Sequence, residues 1–330
     1  MDQKARSLHE RSLVVDYHVC LPEENQSRYF EELLRYQAAG VDWIFVNVAD
    51  ATMPLEGLVR RAAELRRWIA LNPQRCMLVS KVSDAQVAQE TGRLGISFDV
   101  EGGFSLGRDI AVVQLLYDIG VRWMLMVYNS ANAIGCGVHD AEDRGLTAFG
   151  YEVIAEMDRV GMVKDCSHTG YRTARDVIDA SSCPVTLSHS NALALRDHPR
   201  NVPDDLIKAC AATGGVIGVC GVGLFLNDAN DVSTEAVLRH IDYVSDLVGP
   251  EHVGIGSDYC DFDPEWLARQ LTSNAGNWPP GYGYGAGMRF MAPEQFPEIT
   301  EGLLARRYSE AAVRGILGGN FRRVASVVWK

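Results

Sequence analysis

Nine short apolar runs alternate along the chain with longer stretches of helical period, and this alternation constrains the fold more than any other feature. The apolar runs lie at 13–18, 43–48, 77–81, 95–100, 122–127, 162–165, 184–187, 216–219 and 253–256. The helical stretches lie at 28–39, 58–71, 109–119, 148–160, 173–180, 203–213 and 234–248. Repeated strand–helix alternation indicates a parallel sheet with helices packed outside it.

Two α/β architectures fit this alternation, and the sequence favours a (β/α)8 TIM barrel. An open doubly wound sheet would need a glycine-rich turn after its first strand, and none follows His18. Nine runs compete for the eight places of a barrel, and we predict that the weakest, at 77–81, forms an accessory strand. We expect one barrel domain over residues 1–330, with a long active-site loop at about 261–300 that is a candidate lid.

The charge balance and the hydropathy exclude several classes of partner. The formal net charge is −12, which argues against nucleic acid or an anionic membrane as the main partner, because both need basic patches. No apolar run reaches the ~18 residues of a spanning helix, and the polar N-terminus lacks the apolar stretch of a signal peptide. We therefore expect a cytoplasmic protein that acts on a small molecule, with its eight cysteines mostly free.

Polar side chains of metal-ligand type stand at the carboxyl ends of five predicted strands, and in a barrel those ends converge on one mouth. His18 and Cys20 lie two residues apart, so an extended strand points both the same way. The further strand-end residues are Glu101, His168, His189 and Asp258. One such residue alone is usually structural, but three histidines and two carboxylates on one side indicate a metal site.

Imidazole and carboxylate groups suit Zn²⁺ and similar ions, and one carboxylate can bridge two ions. Two metal ions about 3.5–4 Å apart can hold a hydroxide between them and polarise a carbonyl group. The strand-end residues therefore predict metal-assisted hydrolysis.

The chain resembles the membrane (renal) dipeptidase family, the M19 peptidases, among the amidohydrolase-like metal-dependent hydrolases. The resemblance extends from about residue 13 to residue 328. The matching motifs are Val15-Asp16-Tyr17-His18, Val100-Glu101-Gly102-Gly103, Gly145-Leu146-Thr147-Ala148-Phe149-Gly150, Ser167-His168, Pro184-Val185-Thr186-Leu187-Ser188-His189-Ser190, Arg200-Asn201-Val202-Pro203-Asp204-Asp205, His252-Val253-Gly254-Ile255-Gly256-Ser257-Asp258 and Gly318-Gly319-Asn320-Phe321-Arg322-Arg323-Val324.

The resemblance implies a barrel that holds two zinc ions, and it suggests a homodimer. His18 matches the histidine of the first zinc site, and Glu101 matches the glutamate that bridges both ions. His168 and His189 match the two histidines of the second site.

The resemblance also implies roles in substrate binding and proton transfer. Arg200 matches an arginine that holds the substrate carboxylate, although a structural salt bridge to Asp204 or Asp205 is the alternative. Asp258 matches an aspartate near the substrate amine and is a candidate for proton transfer.

Two positions depart from the family pattern. Cys20 replaces an aspartate, and three outcomes are open: Cys20 ligates zinc, the first site is empty and one metal is used, or Cys20 is a buried spectator. Tyr128 replaces a histidine that contacts the substrate carbonyl. Its hydroxyl can stabilise an oxyanion without carrying a positive charge, or it can simply form a wall of the pocket.

These features predict a metallohydrolase that cleaves the amide bond of dipeptides, or of similar small amides with a free carboxylate, by a metal-activated hydroxide beside Glu101. The same barrel acting on a lactone, a cyclic amide or a modified metabolite is the first alternative, which the departures at positions 20 and 128 favour somewhat. A non-catalytic protein that keeps a structural metal is the second alternative.

Overall fold

The computed structural model describes residues 1–21, 26–260, 264–285 and 287–330. Nine strands within these residues form one parallel sheet. They are β1 Val15–Val19, β2 Trp43–Asn47, β3 Cys76–Leu78, β4 Leu94–Val100, β5 Val121–Leu125, β6 Val163–Asp165, β7 Val185–Leu187, β8 Val216–Cys220 and β9 Val253–Gly256.

Eight of these strands follow the order β1-β2-β4-β5-β6-β7-β8-β9. The remaining strand, β3, lies off this path and pairs with residues 94–96 at the start of β4. The predicted accessory strand is thereby confirmed. The backbone then closes the sheet between its two ends. The amide of Asp258 donates to the carbonyl of His18 over 3.1 Å, and the amide of Cys20 donates to the carbonyl of Tyr259 over 3.2 Å. The predicted (β/α)8 barrel is confirmed, with the strands nearly closed into a ring.

The helices cover the outside of the barrel and connect successive strands. They are α1 Gln3–Arg11, α2 Gln26–Glu32, α3 Leu34–Ala38, α4 Leu55–Leu71, α5 Val82–Glu90, α6 Ala111–Ile119, α7 Ala148–Val160, α8 Tyr171–Ala180, α9 Asp204–Ala212, α10 Gly223–Leu226, α11 Thr234–Val248, α12 Pro264–Ser273, α13 Phe296–Ala305, α14 Glu310–Arg314 and α15 Asn320–Val328. Among the described helices, none combines the length and the apolar character that crossing a membrane requires.

Aromatic side chains fill the barrel interior and close it below the mouth. Tyr17 stacks on Phe321 of α15 with ring centroids 3.6 Å apart, and it also contacts Phe45 and Trp123. These four rings are fully buried. The polar strand ends therefore lie above a packed hydrophobic floor, which keeps bulk water to one side of them.

The register between β1 and β2 shifts between Asp16 and Val19, which is a bulge in the first strand. Tyr17 and His18 are neighbours in the sequence, yet both rings contact Trp123 inside the barrel, at 5.8 and 5.4 Å between centroids. A regular strand would send adjacent side chains to opposite faces. The bulge thus places a floor residue and a mouth residue next to each other, as bulges beside functional sites often do.

The described part of 261–300, which the sequence predicts as one long loop, contains helical segments. The amphipathic helix α12 occupies Pro264–Ser273, and α13 begins at Phe296, so the irregular stretch is shorter. Residues 261–263 and 286 lie outside the described part of the chain. Leu267 and Leu271 are one helical turn apart and both line the pocket at the mouth, which gives α12 an apolar face to bury.

Candidate metal centre

The carboxyl ends of the strands bring six sequence-predicted side chains to one mouth. His18 lies in β1 and Cys20 just after it, Glu101 follows β4, His168 follows β6, His189 follows β7 and Asp258 follows β9. Parallel strands all end on the same side of a barrel, so residues far apart in the chain meet there. The histidines and Glu101 are buried, whereas Cys20 and Asp258 are partly exposed toward the pocket.

Glu101 is at the centre of the three histidines. Its Oε1 lies 3.2 Å from Nε2 of His18, 3.4 Å from Nε2 of His189 and 3.6 Å from Nε2 of His168. The Nε2 atoms of His168 and His189 are 2.8 Å apart. The other carboxylate oxygen, Oε2, accepts a 2.7 Å hydrogen bond from the amide nitrogen of Asn47. One face of the carboxylate is therefore anchored, and the other is surrounded by imidazole nitrogens.

Each of these imidazoles is oriented through its other ring nitrogen. Nδ1 of His18 lies 3.3 Å from the carboxylate of buried Asp99. Nδ1 of His168 lies 2.7 Å from Oδ1 of Asn129, and Nδ1 of His189 lies 2.8 Å from the hydroxyl of Ser188. Such partners fix the tautomer and the direction of metal-binding histidines. In all three cases they leave Nε2 directed at Glu101.

The donor set fits a divalent metal ion. Tetrahedral coordination with bonds of about 2.0–2.1 Å separates neighbouring ligand atoms by ~3.3–3.4 Å. The three separations from Oε1 of Glu101 to imidazole Nε2, at 3.2, 3.4 and 3.6 Å, fall around that value. Nε2 of His168 lies only 2.8 Å from Nε2 of His189, closer than this separation. His18, Glu101 and His189 therefore form the group that can hold a metal ion at the mouth as it stands.

The electrostatics of the centre favour neutral imidazole at two of the three histidines. Burial, followed by the positive charges of Arg200 and His189, lowers the pKa of His168 well below its usual value. Burial also lowers the pKa of His189. Burial alone would lower the pKa of His18, but the neighbouring negative charges, Asp99 first, outweigh it and raise that pKa. Two imidazoles are thus neutral at pH 7, the form that coordinates metal ions.

Glu101 stays ionised in this surrounding. Burial alone would raise the pKa of Glu101, but the charges and hydrogen bonds of His18 and His189 outweigh it and hold that pKa far below its usual range. A buried carboxylate that remains charged among imidazole nitrogens is a cation-binding arrangement.

Cys20 and Asp258 form the outer side of the mouth. Sγ of Cys20 lies 3.5 Å from Nε2 of His18 and donates to Oδ1 of Asp258 over 3.3 Å. Oδ1 of Asp258 lies 3.6 Å from Nε2 of His18. Cys20 is therefore in direct contact with two of the predicted site residues.

Two site residues have left-handed backbone conformations, with φ of 61° at His168 and 54° at Asp258. This region is unfavourable for side chains other than those of glycine and, to a lesser degree, asparagine or aspartate. Strain of this kind occurs where the surrounding structure fixes a functional side chain. At both positions it turns the chain sharply away from the strand end, so that the side chain stays over the barrel.

The backbone at the end of β7 is packed against two glycines. A Cβ atom added to Gly218 of β8 or to Gly256 of β9 would overlap the carbonyl oxygen of Ser188. The absence of side chains at both positions lets the Ser188–His189 peptide lie close to the neighbouring strands. These two glycines therefore help to set the height of His189 in the mouth.

Arg200 lies beside the centre and is 2% exposed. Its Nη2 donates to the carbonyl of His189 over 3.2 Å, its guanidinium lies over the ring of Phe225, and its Nε has no hydrogen-bond partner among the described residues. Within the described chain, the alternative salt bridge to Asp204 or Asp205 is not formed. Those two carboxylates accept hydrogen bonds from tyrosines instead. Arg200 thus retains donor capacity for an anion.

Tyr128 lines the pocket above the centre. Its ring stacks on His168 with centroids 4.0 Å apart and meets the edge of Trp278 at 5.9 Å. Burial and then the charge of Glu101 raise the pKa of the phenol well above its usual value, so the hydroxyl remains a donor at neutral pH.

A pocket with a cavity volume of about 120 Å³ opens from Glu101, His168 and Asp258. Its upper walls are largely apolar and aromatic, with contributions from α12 and the segment that follows it. These residues are Val222, Phe225, Leu267, Leu271, Trp278, Tyr284, Met288 and Phe290. The pocket places the candidate metal ligands at the base of a hydrophobic cavity that is sized for a small molecule.

A protein-family model described as membrane dipeptidase, peptidase family M19, matches residues 2–268. The chain belongs to this family. As a member of this family it is a metal-dependent hydrolase of the metallopeptidase class. The residues that could bind the metal ion lie at the base of its pocket.

Solved structures agree with the M19 fold over nearly the whole chain. An amidohydrolase from Pseudomonas aeruginosa is 28% identical, with a TM-score of 0.89 over 98% of this chain and 99% of that chain. The probable dipeptidase PvdM from the same organism is 19% identical, with a TM-score of 0.84 over 99% and 98% of the two chains. A Rhodobacter sphaeroides metallopeptidase liganded with a phosphinate mimic of L-Ala-D-Ala is 20% identical, with a TM-score of 0.78 over 96% and 100%.

Sequence reasoning missed three polar residues that support this M19 centre. Asn47 anchors Glu101, Asp99 orients His18 and Asn129 orients His168. Asn47 ends β2 and Asp99 stands two residues before Glu101, so the strand-end criterion could have found both. Asn129 lies in a loop beyond β5, and nothing in the local sequence pattern marks its contact with His168.

Proposed function

We propose that this M19 member is a dipeptidase that hydrolyses the amide bond of dipeptides, or of similar small amides with a free carboxylate. The observation that carries the proposal is the convergence of three imidazole Nε2 atoms on Glu101 at the base of the pocket. Buried Arg200, with an unpartnered Nε beside that centre, supports recognition of a substrate carboxylate. Zinc is the ion proposed, because imidazole and carboxylate ligands suit it.

A bound divalent ion supplies Lewis acidity for the carbonyl and lowers the pKa of water. The residues of the chain do the rest. Glu101, with one oxygen tied to Asn47, holds its other oxygen toward the centre. Asp258 is partly exposed to the pocket and can take a proton from the attacking water and pass it to the leaving nitrogen. The proposed role of Tyr128, whose ring stacks on His168, is to donate its hydroxyl proton in a hydrogen bond to the oxygen that becomes negatively charged.

The size and lining of the pocket support a small substrate with an apolar side chain. The cavity volume of about 120 Å³ favours a small substrate over a longer peptide. The aromatic wall formed by Trp278, Tyr284 and Phe290 favours bulky apolar groups over charged ones.

The test is hydrolysis of a dipeptide panel by the purified protein loaded with Zn²⁺ or Co²⁺. Each dipeptide is paired with its C-terminal amide, which lacks the carboxylate that Arg200 would bind. We expect turnover of free dipeptides, a loss on the order of 10²-fold or more in kcat/KM for the amides, and loss of turnover in Glu101→Gln. Arg200→Met should remove the preference for the free carboxylate. Absence of hydrolysis across the panel with metal bound would overturn the proposal.

A different bond is the second candidate. Tyr128 in place of the family histidine, together with the apolar wall around Trp278, fits an uncharged cyclic substrate such as a lactone or cyclic amide. Lactones and cyclic amides therefore belong in the same panel. Turnover of these compounds without turnover of any dipeptide would favour this second function.

A further inference from the structure

A second group of ligand-type atoms lies at the outer side of the mouth, next to the centre around Glu101. It consists of Nε2 of His18, Sγ of Cys20 and Oδ1 of Asp258. The three separations are 3.5 Å from sulfur to nitrogen, 3.3 Å from sulfur to oxygen and 3.6 Å from nitrogen to oxygen. The three atoms thus form a nearly equilateral triangle that faces the pocket.

These separations are those that a tetrahedral ion imposes. Bonds of about 2.3 Å to sulfur and about 2.0–2.1 Å to nitrogen or oxygen give ~3.5 Å between sulfur and either other ligand, and ~3.3–3.4 Å between nitrogen and oxygen. All three separations agree with these values to within about 0.3 Å. The triangle needs no side-chain rearrangement to become one face of a coordination tetrahedron.

The backbone holds this triangle in place, because it lies on the seam that closes the barrel. The amide of Asp258 donates to the carbonyl of His18, and the amide of Cys20 donates to the carbonyl of Tyr259. Asp258 also sits in the left-handed conformation that directs its carboxylate over the seam. The backbone of the barrel therefore fixes the relative positions of these three side chains before an ion binds.

The surroundings of the triangle are rich in sulfur. Sγ of Cys220 lies 3.6 Å from Oδ2 of Asp258, the carboxylate oxygen that Cys20 does not contact. Cys260 lines the same pocket as Cys20. Thiolate ligands select soft or borderline ions such as Zn²⁺, whereas Mg²⁺ and Mn²⁺ prefer oxygen ligands. A thiol among the ligands therefore changes which ions the position can take.

We propose that His18, Cys20 and Asp258 form a thiolate-containing cation site that takes thiophilic divalent ions in preference to Mg²⁺ or Mn²⁺. On binding, the cation replaces the thiol proton that Cys20 donates to Asp258, and this proton is released to solvent. Nε2 of His18 has one lone pair, so an ion bound here takes His18 as a ligand and leaves Glu101, His168 and His189 to a neighbouring ion. The existence of the site does not depend on which bond the protein hydrolyses.

The test is a titration of metal-free protein with Co²⁺, followed by absorption spectroscopy. Thiolate coordination to Co²⁺ gives a charge-transfer band in the near ultraviolet that imidazole and carboxylate ligands do not give. We expect this band to appear and saturate in the wild type, to disappear in Cys20→Ser, and to survive an excess of Mg²⁺. Absence of the band in the wild type, or an undiminished band in Cys20→Ser, would overturn the proposal.

Two other cysteines serve as matched controls. Cys183 is partly exposed like Cys20 but belongs to no ligand group among the described residues, and Cys220 contacts the same carboxylate from the other side. Cys183→Ser and Cys220→Ser should both keep the band. If Cys220→Ser lost the band and Cys20→Ser kept it, the sulfur ligand would be Cys220 rather than Cys20, and the proposal would be refuted.

A second measurement needs no substitution and covers the case in which Cys20→Ser fails to fold. X-ray absorption of the zinc-loaded wild type should show sulfur scattering at about 2.3 Å besides nitrogen and oxygen. Nitrogen and oxygen scattering alone would overturn the site. Both measurements are made without substrate, so they test the sulfur ligand independently of the proposed dipeptidase activity. The sulfur ligand can be present in a protein that hydrolyses no dipeptide, and it can be absent from an active one.

Discussion

Gly256 is the position where one methyl group should affect the metal centre most directly. A Cβ there would lie 3.4 Å from Cβ of His189 and 3.1 Å from the carbonyl carbon of Ser188, and it would overlap the Ser188 oxygen. To restore ordinary contact, that oxygen must retreat by roughly 1 Å. The obstacle is backbone rather than a flexible side chain, so the whole Ser188–His189 peptide has to move.

Two effects of Gly256→Ala follow from this displacement. Overpacking of this kind destabilises a folded core by about 1–3 kcal/mol. Because His189 and its orienting partner Ser188 move together, we also expect zinc affinity to fall by roughly 10- to 100-fold, as when the orientation of a metal-binding histidine is disturbed. The affinity effect should persist at temperatures where the variant is fully folded.

The assays are thermal unfolding of the metal-free protein and competition titration of Zn²⁺ against a chromophoric chelator at 25 °C. Gly276→Ala is the matched control, because an added Cβ there meets no atom within 4 Å and its backbone conformation is ordinary. We expect the control to match the wild type in both assays. Wild-type zinc affinity and wild-type stability in Gly256→Ala would refute the argument that close backbone approach sets the position of His189.

Two further predictions concern a catalytic donor and the pH dependence of stability. Tyr128→Phe should lower kcat on the order of 10²-fold with little change in KM, because the hydroxyl donates to the developing oxyanion. If steady-state kinetics give the variant the same kcat as the wild type, Tyr128 only forms part of the pocket wall. Burial raises the pKa of Asp42 from 3.8 to about 6, so the folded state binds protons more tightly there and its stability falls as pH rises from about 4 to 6. The full pKa shift corresponds to ~3 kcal/mol of unfolding free energy, which partial exposure of Asp42 reduces to ~1–2 kcal/mol. Asp42→Asn should therefore be more stable than the wild type above pH 6 but not at pH 4. Denaturant titrations that give the same stability difference at both pH values would contradict this.

The local periodicity of the sequence was sufficient to predict the barrel. The helical stretches at 148–160 and 234–248 coincide with α7 and α11, because their apolar positions recur at helical spacing and a capping side chain begins each, Thr147 and Ser233. The stretch at 28–39 was predicted as one helix, whereas the structure contains two, Gln26–Glu32 and Leu34–Ala38. Periodicity reports which residues face the core, but it does not resolve a short break between two helices on the same face.

The meeting of His18, Glu101, His168 and His189 at one mouth was also foreseeable. Each stands at the end of a strand, and all strands of a parallel barrel end on one side. The sequence could therefore indicate which residues share the mouth. It could not give their separations, since these depend on strand register and on the loops that follow.

The sequence by itself determined the order of strands and helices, the residues at the strand ends and the family, because each of these is carried by short stretches of neighbouring residues. Only the tertiary structure decided which atoms touch. The bulge that turns both Tyr17 and His18 inward lies where β1 pairs with β2. The contact of Cys20 with Asp258, 238 positions away in the chain, comes from the closure of β1 against β9. Such contacts depend on packing between distant segments, for which no local pattern of side chains exists.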